Sequence, residues 1–239
     1  LVKLAVGKKL WGIENLSYIP GTVGAAPIQN IGAYGSELKD VFVSLSALDR
    51  ETLNIVEMTG EACNFGYRDS LFKQQKDKYI VISITLKLSS VSHPVLTYKP
   101  LDTLAGKENV TLEEIRELVI TTRKNKLPNY NEYPNNGSFF KNPIVTKEVG
   151  DRLAIEYPDM KLIDQGTGYK IPAAWLIEHI GGYKGVREGD VGTWPNQPLV
   201  IVNYGNATAE NIITFSDKII EKIHDATGLR LEREVNYRD

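Results

Sequence analysis

Residues 19–35 of the chain read IPGTVGAAPIQNIGAYG, and this stretch says most about the fold. It holds four glycines, two prolines and no charged residue. Glycine tolerates positive φ and close approach of a ligand, whereas proline fixes φ and lacks an N–H donor, so the stretch predicts a loop. Two interpretations fit it: main-chain N–H groups aimed at a phosphate-bearing cofactor, or a tight structural turn. Its glycine spacing matches neither a Walker loop nor a GxGxxG fingerprint.

Further motifs follow this loop along the chain. They are GYRDSLFK (66–73), PVLTY (94–98), RKNKLP (123–128), NGSFFKNP (136–143), AWLIE (174–178) and LEREV (231–235). In this order they closely resemble the UDP-N-acetylenolpyruvoylglucosamine reductases, flavoenzymes of bacterial cell-wall precursor synthesis. The resemblance runs from Trp11 to Val235. The PVLTY string looks like that of the subfamily with a substrate-clamping tyrosine loop.

The predicted elements indicate an α+β fold. Apolar alternation over 41–47 and β-branched stretches over 53–58 and 79–88 predict strands. Thr111 and Glu114 form a capping box that opens a helix. Strands followed by mixed helices and strands, without regular βαβ alternation, favour α+β over a doubly wound sheet. The later elements are helices over 149–157, 171–180 and 208–226 and strands over 198–203 and 229–239.

The resemblance implies the C-terminal part of a FAD-binding domain of the vanillyl-alcohol-oxidase type, plus a smaller α+β substrate domain. We place the boundary after the basic cluster at 123–126. Residues 1–126 then form the FAD-binding domain and residues 127–227 the substrate-binding domain. Residues 228–239 form a C-terminal strand that returns to the active site.

The chain begins LVKLAVGKK, without an initiator methionine, and this segment is typical of the later part of a helix. The resemblance implies more chain upstream, including a second glycine-rich segment that wraps the FAD diphosphate. We therefore expect the N-terminal part to be absent and a chain of residues 1–239 to bind FAD weakly.

The composition of the chain limits the kinds of partner and bound group that we expect. The chain has 239 residues, of which 42% are hydrophobic and 24% charged, with a formal net charge of −2. These values fit a globular protein and show no electrostatic footprint for nucleic acid or a membrane. Cys63 is the only cysteine, and the three histidines are scattered, so no disulfide and no metal site is predicted. We expect a monomer, and the pathway that the resemblance implies places it in the cytoplasm.

The resemblance implies a reaction with two halves. NADPH gives a hydride to FAD, and the reduced flavin passes it to UDP-N-acetylglucosamine enolpyruvate, which becomes UDP-N-acetylmuramate. The resulting enolate needs cationic or hydrogen-bonding groups where its charge develops, and a positioned acid to protonate its α-carbon.

Three residues match the catalytic positions of the family. Ser138 is the candidate acid, although a turn serine is the plainer interpretation of its residue type. The fork of Arg68 suits a carboxylate, although a surface pair with Asp69 is its structural alternative. Glu234 is preferred over Glu232 because it aligns with the acidic residue of the family. The basic residue usual two places later is Asn236 here, which leaves the local charge balance open.

Binding residues also follow from the resemblance. Those expected at the cofactor, mostly through their main chain, are Pro20, Gly21, Thr22, Val23, Gly24, Ala25, Asn30, Ile31, Gly32, Tyr34 and Arg123. Those expected at the substrate are Tyr67, Tyr98, Lys126 and Asn142. For Tyr98 a strand aromatic, and for Lys126 a solvated charge, are the structural alternatives.

Two other functions remain open at this point. One is a different flavin oxidoreductase of the same fold, against which Ser138 and the sugar-nucleotide residues argue. The other is a truncated fragment that binds the UDP-sugar without flavin activity. Flavin absorbance of the purified protein separates the enzymes from the fragment.

Overall fold

The computed structural model describes residues 1–237, which divide into two compact units. The first unit is Leu1–Arg123, and the second begins at Lys124. The division falls three residues before the predicted boundary, within the last turn of one helix. Over residues 1–237, no helix combines the length and the apolar character needed to cross a membrane.

The first unit is built on a three-stranded antiparallel sheet, with the longest strand in the centre. One face of that strand buries Leu45 and Ala47, which pack with Met58, Cys63 and Phe72. This alternation of exposed and buried residues is the expected result of strand geometry. The elements are α1 (Val2–Gly7), β1 (Gly32–Ala33), β2 (Ser36–Glu37), β3 (Phe42–Asp49), β4 (Ile55–Thr59), α2 (Gly60–Cys63), α3 (Leu71–Gln74), β5 (Tyr79–Leu86) and α4 (Leu112–Lys126).

The second unit packs helices on a four-stranded antiparallel sheet. The inner strand Gln197–Asn203 is almost entirely buried. The long last helix places Phe215, Ile219 and Ile223 in the same core. A separate three-stranded sheet is formed by short strands within residues 144–170. The elements are β6 (Asn135–Ser138), β7 (Ile144–Val145), α5 (Lys147–Glu156), β8 (Ile163–Asp164), β9 (Tyr169–Lys170), α6 (Ala173–Trp175) with a π-helical turn (Leu176–Ile180), β10 (Arg187–Glu188), β11 (Val191–Trp194), β12 (Gln197–Asn203) and α7 (Ala209–Thr227).

Mixed helices and strands with antiparallel pairing confirm the α+β class. The helix start at Thr111 is confirmed, because its hydroxyl accepts from the N–H of Glu114 at 3.3 Å. The C-terminal stop of α7 is confirmed as well, because Gly228 adopts φ 75° in the left-handed region.

The predicted strand over 229–239 is wrong for the described residues. Up to residue 237 this segment pairs through one bridge, between Arg233 and Phe140. Its apolar side chains instead enter the core beside α7, which satisfies burial without a sheet ladder. Residues 238 and 239 of the predicted strand lie outside the described part of the chain.

Candidate functional site

The glycine-rich loop presents a row of available main-chain donors. Its start turns through a short 3₁₀ segment, Val23–Ala25, in which the N–H of Ala25 donates to the carbonyl of Thr22 at 3.2 Å. Within residues 1–237, the N–H groups from Gly21 to Gly24 donate to no other protein group. Gly21 has φ 107° and is exposed, as are Thr22 and Val23. Successive unused N–H groups on an exposed loop are the arrangement that binds an anion.

Asn30 holds the second half of this loop in place. It is fully buried, and its amide donates to Glu37 at 2.9 Å and to the carbonyl of Gly66 at 3.0 Å. Its oxygen accepts from the N–H of Lys39 at 3.0 Å. The N–H groups of Asn30 and Ile31 also donate within the loop. These two residues therefore shape the loop, and their donors are already used inside the protein.

The turn that carries Arg68 is fastened to the glycine loop. Arg68 has φ 53°, and its Nη2 donates to the carbonyl of Gly32 at 2.7 Å. A Cβ atom on Gly32 would lie 2.9 Å from Nη1 of Arg68, so a larger residue there would displace the guanidinium. Ser70 adds a bond from its hydroxyl to the carbonyl of Ile28 at 2.6 Å. Two motifs about forty residues apart thus form one structure.

Tyr67 accompanies Arg68, whose guanidinium carbon lies 5.6 Å from the centre of the tyrosine ring. The carboxylate of Asp69 accepts from the N–H of Ser70 at 2.9 Å and from Gln74 at 3.0 Å. The partners of Asp69 therefore include groups of its own turn, which stabilise the turn that presents Arg68.

Tyr34, Tyr98 and Arg123 lie around the turn of the β1–β2 hairpin. Tyr34 and Gly35 have φ of 49° and 85°, the signs that a type I′ turn requires. A Cβ atom on Gly35 would lie 2.9 Å from Cδ2 of Tyr98, so the tyrosine ring rests on the turn. Arg123 is half-buried, and its Nε donates to the carbonyl of Tyr18 at 3.1 Å.

Burial dominates the electrostatics of this corner. It raises the pKa of the Tyr34 hydroxyl, and the neighbouring guanidinium of Arg123 opposes that effect. Burial also lowers the pKa of Arg123, while Tyr34 acts in the opposite direction. A partly desolvated cation beside a tyrosine is suited to an anionic ligand, because desolvation strengthens its field.

Asn15 was missed in the sequence analysis. It is 1% exposed, and its amide donates to the carbonyl of Tyr34 at 2.8 Å and to that of Val95 at 2.9 Å. Within the described chain, the Asn15 side-chain oxygen has no hydrogen-bond partner. The only local signal is an asparagine followed by the buried Leu16, which does not reveal partners 19 and 80 residues away.

Ser138 ends the edge strand β6 in the second unit. It pairs with Val200 of β12, and Gly137 before it has φ 74°. Ser138 is exposed, whereas Phe139 and Phe140, which follow it, are buried in the core. The aromatic pair therefore anchors an edge at which the hydroxyl is accessible.

Glu234 lies next to this edge. Its N–H donates to the carbonyl of Phe139 at 2.8 Å, which brings Glu234 opposite the residue that follows Ser138. The other candidate, Glu232, forms an ion pair with Lys141 at 2.5 Å and has 69% of its side chain exposed. The structure thus pairs the main chain of Glu234 with the residue that follows Ser138, while Arg68 belongs to the first unit.

The remaining substrate candidates sit at element ends. Lys126 is the last residue of α4 and is exposed. Asn142 accepts with its side-chain oxygen from the N–H of Ala173, the first residue of α6, at 2.8 Å. This bond gives Asn142 a structural role that residue type did not indicate.

The chain resembles known proteins in sequence. Residues 128–238 match a family model described as UDP-N-acetylenolpyruvoylglucosamine reductase, C-terminal domain. The UDP-N-acetylenolpyruvoylglucosamine reductase of Flavobacterium johnsoniae is 44% identical to the chain, over 94% of the chain and 68% of the relative. The protein of the same name from Pseudomonas aeruginosa is 43% identical, over 98% and 70%.

A solved structure has a similar fold. The UDP-N-acetylenolpyruvylglucosamine reductase of Thermus caldophilus superposes with a TM-score of 0.65 at 23% identity. The superposition covers 98% of this chain and 67% of that one. The superposition supports the fold, and the two relatives establish that the chain belongs to the UDP-N-acetylenolpyruvoylglucosamine reductase family.

Proposed function

We propose that the protein is an NADPH-dependent flavoenzyme that reduces UDP-N-acetylglucosamine enolpyruvate to UDP-N-acetylmuramate for peptidoglycan synthesis in the cytoplasm. The names of the relatives support the substrate. The single structural observation that carries the proposal is the row of unused N–H groups from Gly21 to Gly24, in the same loop whose Gly32 carbonyl accepts from Arg68. We further propose that the protein acts as a monomer, with residues 1–126 binding cofactor, 127–227 substrate, and the C-terminal segment completing the active site.

The residues of the first unit fit FAD. The donors of Gly21 to Gly24 suit its diphosphate, and the Arg123–Tyr34 corner supplies a partly desolvated cation and a hydroxyl. The buried Asn30 keeps this loop in shape without spending donors that the ligand needs. Within this proposal the unit is part of a FAD-binding domain of the vanillyl-alcohol-oxidase type. FAD, when bound, supplies transfer of the NADPH hydride to the β-carbon of the enolpyruvyl group.

The chain's own residues then handle charge and the proton. Arg68 binds the substrate carboxylate and stabilises the enolate with its planar fork. Ser138 gives its hydroxyl proton to the α-carbon and regains one from solvent, which its exposed position permits. Glu234 orients that proton transfer in this proposal, and the bond from its N–H to the carbonyl of Phe139 supports the role. Tyr67, Tyr98, Lys126 and Asn142 hold the sugar nucleotide.

Replacing Ser138 tests the chemistry. In the full-length, FAD-loaded protein, Ser138→Ala should leave flavin reduction by NADPH unchanged and slow substrate reduction by roughly 10²- to 10⁴-fold. Stopped-flow absorbance resolves both half-reactions. Ser83→Ala, which alters an exposed serine in β5, is the matched control and should behave as the wild type. Equal slowing of both halves by Ser138→Ala would assign the serine to folding or cofactor binding.

Replacing Tyr98 tests the substrate site. Tyr98→Phe should weaken binding of the UDP-sugar, measured by calorimetry, while the flavin content stays constant. Tyr130→Phe is the control, because Tyr130 has a similarly exposed side chain (52% against 41%). An unchanged dissociation constant for Tyr98→Phe would remove its hydroxyl from the proposed site.

A further inference from the structure

Arg233, between the two C-terminal glutamates, makes a set of contacts that the proposed function does not use. Its Nε and Nη2 donate to the hydroxyl of Ser216 at 3.0 and 2.8 Å. Nη2 also pairs with Asp217 at 2.5 Å. Ser216 is fully buried, and only 22% of the Arg233 side chain is exposed. The guanidinium therefore fastens the C-terminal segment to the middle of α7.

The segment needs such an anchor because its main-chain pairing is short. Two hydrogen bonds flank the bridge to Phe140, one from Lys141 to the carbonyl of Glu232 and one from Glu234 to that of Phe139. So brief a ladder specifies register weakly, and a slip by one residue would turn every side chain to the opposite face. Leu231 and Val235 pack in the core, but apolar contacts are not directional.

Adjacency along the chain links this anchor to the proposed active site. The side chain of Arg233 is bonded to α7, and the main-chain N–H of the next residue, Glu234, donates to the carbonyl of Phe139. We propose that Arg233 is a positioning residue: by binding Ser216 and Asp217 it fixes the register that sets Glu234 opposite Phe139, the residue after Ser138. The inference rests on the proposed function, because it gives Arg233 a role only through Glu234.

The same segment provides a matched control. Glu232 is also tied to its surroundings by a charged pair, with Lys141, but 69% of its side chain is exposed. Because only 16% of the Lys141 side chain is exposed, the control is Glu232→Gln, whose amide oxygen can still accept from Lys141, and this change should not move the segment. Ser216→Ala removes the buried acceptor from the helix side and leaves the sequence of the segment intact.

The experiment uses the full-length, FAD-loaded protein with NADPH and UDP-N-acetylglucosamine enolpyruvate in stopped flow. Arg233→Gln should slow substrate reduction roughly 10- to 100-fold, the effect of displacing a reactive group by about an ångström. Flavin reduction should keep its wild-type rate. Ser216→Ala should slow the same half-reaction less, and Glu232→Gln should slow neither. Arg233→Lys should recover part of the rate, because lysine can pair with Asp217 but lacks the fork.

The double variant Arg233→Gln/Glu234→Gln should be no slower than Glu234→Gln alone, because both changes remove the same group from the site. If Glu234→Gln slows substrate reduction while neither Arg233→Gln nor Ser216→Ala does, the positioning role of Arg233 is refuted and the proposed role of Glu234 stands. If Arg233→Gln slows both half-reactions equally, the residue serves stability and the inference also fails. If Glu234→Gln has no effect, the proposed role of Glu234 falls, and this inference falls with it.

Discussion

Gly35→Ala should destabilise the first unit through two separable effects. Gly35 has φ 85°, a conformation that costs alanine about 1–2 kcal/mol. The new methyl group would also lie 2.9 Å from Cδ2 of Tyr98 and 3.2 Å from Cγ1 of Val95. Overpacking of this kind typically costs about 1–3 kcal/mol. Because Tyr98 is 41% exposed and its ring can swing outward, we expect the lower half of that range.

Gly106 isolates the backbone effect. It has the same φ of 85°, and a Cβ atom added there meets no atom within 4 Å. Gly106→Ala should therefore lose about 1–2 kcal/mol of unfolding free energy, and Gly35→Ala about 1 kcal/mol more. Urea unfolding, followed by circular dichroism, gives both values. Removing the tyrosine ring in Gly35→Ala/Tyr98→Ala should abolish the excess.

Displacement of the ring has a functional consequence as well. If Tyr98 binds the UDP-sugar from its place on the Gly35 turn, Gly35→Ala should weaken nucleotide binding and Gly106→Ala should not. Equal destabilisation by the two glycine substitutions, with an additive double variant, would show that the Tyr98 contact does not constrain Gly35.

Three further predictions concern single sites. Asn30→Ala should cost about 2–4 kcal/mol of unfolding free energy, because this buried side chain makes three hydrogen bonds that are then lost. Asn206→Ala, at an exposed position, is the control in the same denaturation experiment. Burial raises the pKa of the Cys63 thiol to about 11, so alkylation by iodoacetamide at pH 8 should require unfolding. The folded state also holds the thiol proton more tightly than the unfolded state does. The contribution of Cys63 to stability should therefore fall as the pH rises from 9 to 11. Thr208→Ala should lower the midpoint of urea unfolding by removing the capping box of α7, at a cost of about 1 kcal/mol, and Thr208→Ser should restore it.

Local interactions account for what the sequence predicted correctly. A capping box joins residues three apart, as at Thr111 and Glu114, and a helix stop needs only a glycine at the right place, as at Gly228. The glycine-rich loop followed from composition in the same way. The motifs of the sequence, compared with those of a known family, also indicated the family to which the chain belongs.

Long-range partners decided the rest. The bonds from Asn30 to Gly66 and from Asn15 to Val95 join residues 36 and 80 positions apart, and no periodicity or capping rule encodes such pairs. The C-terminal segment was predicted as a strand because its composition suits an extended chain, whether or not that chain pairs in a sheet. The choice depended on the partly buried contacts of Arg233 with α7, which replace a ladder with side-chain bonds. Local propensity is therefore readable from the sequence, whereas satisfaction of buried polar groups depends on which distant segments the tertiary fold brings together.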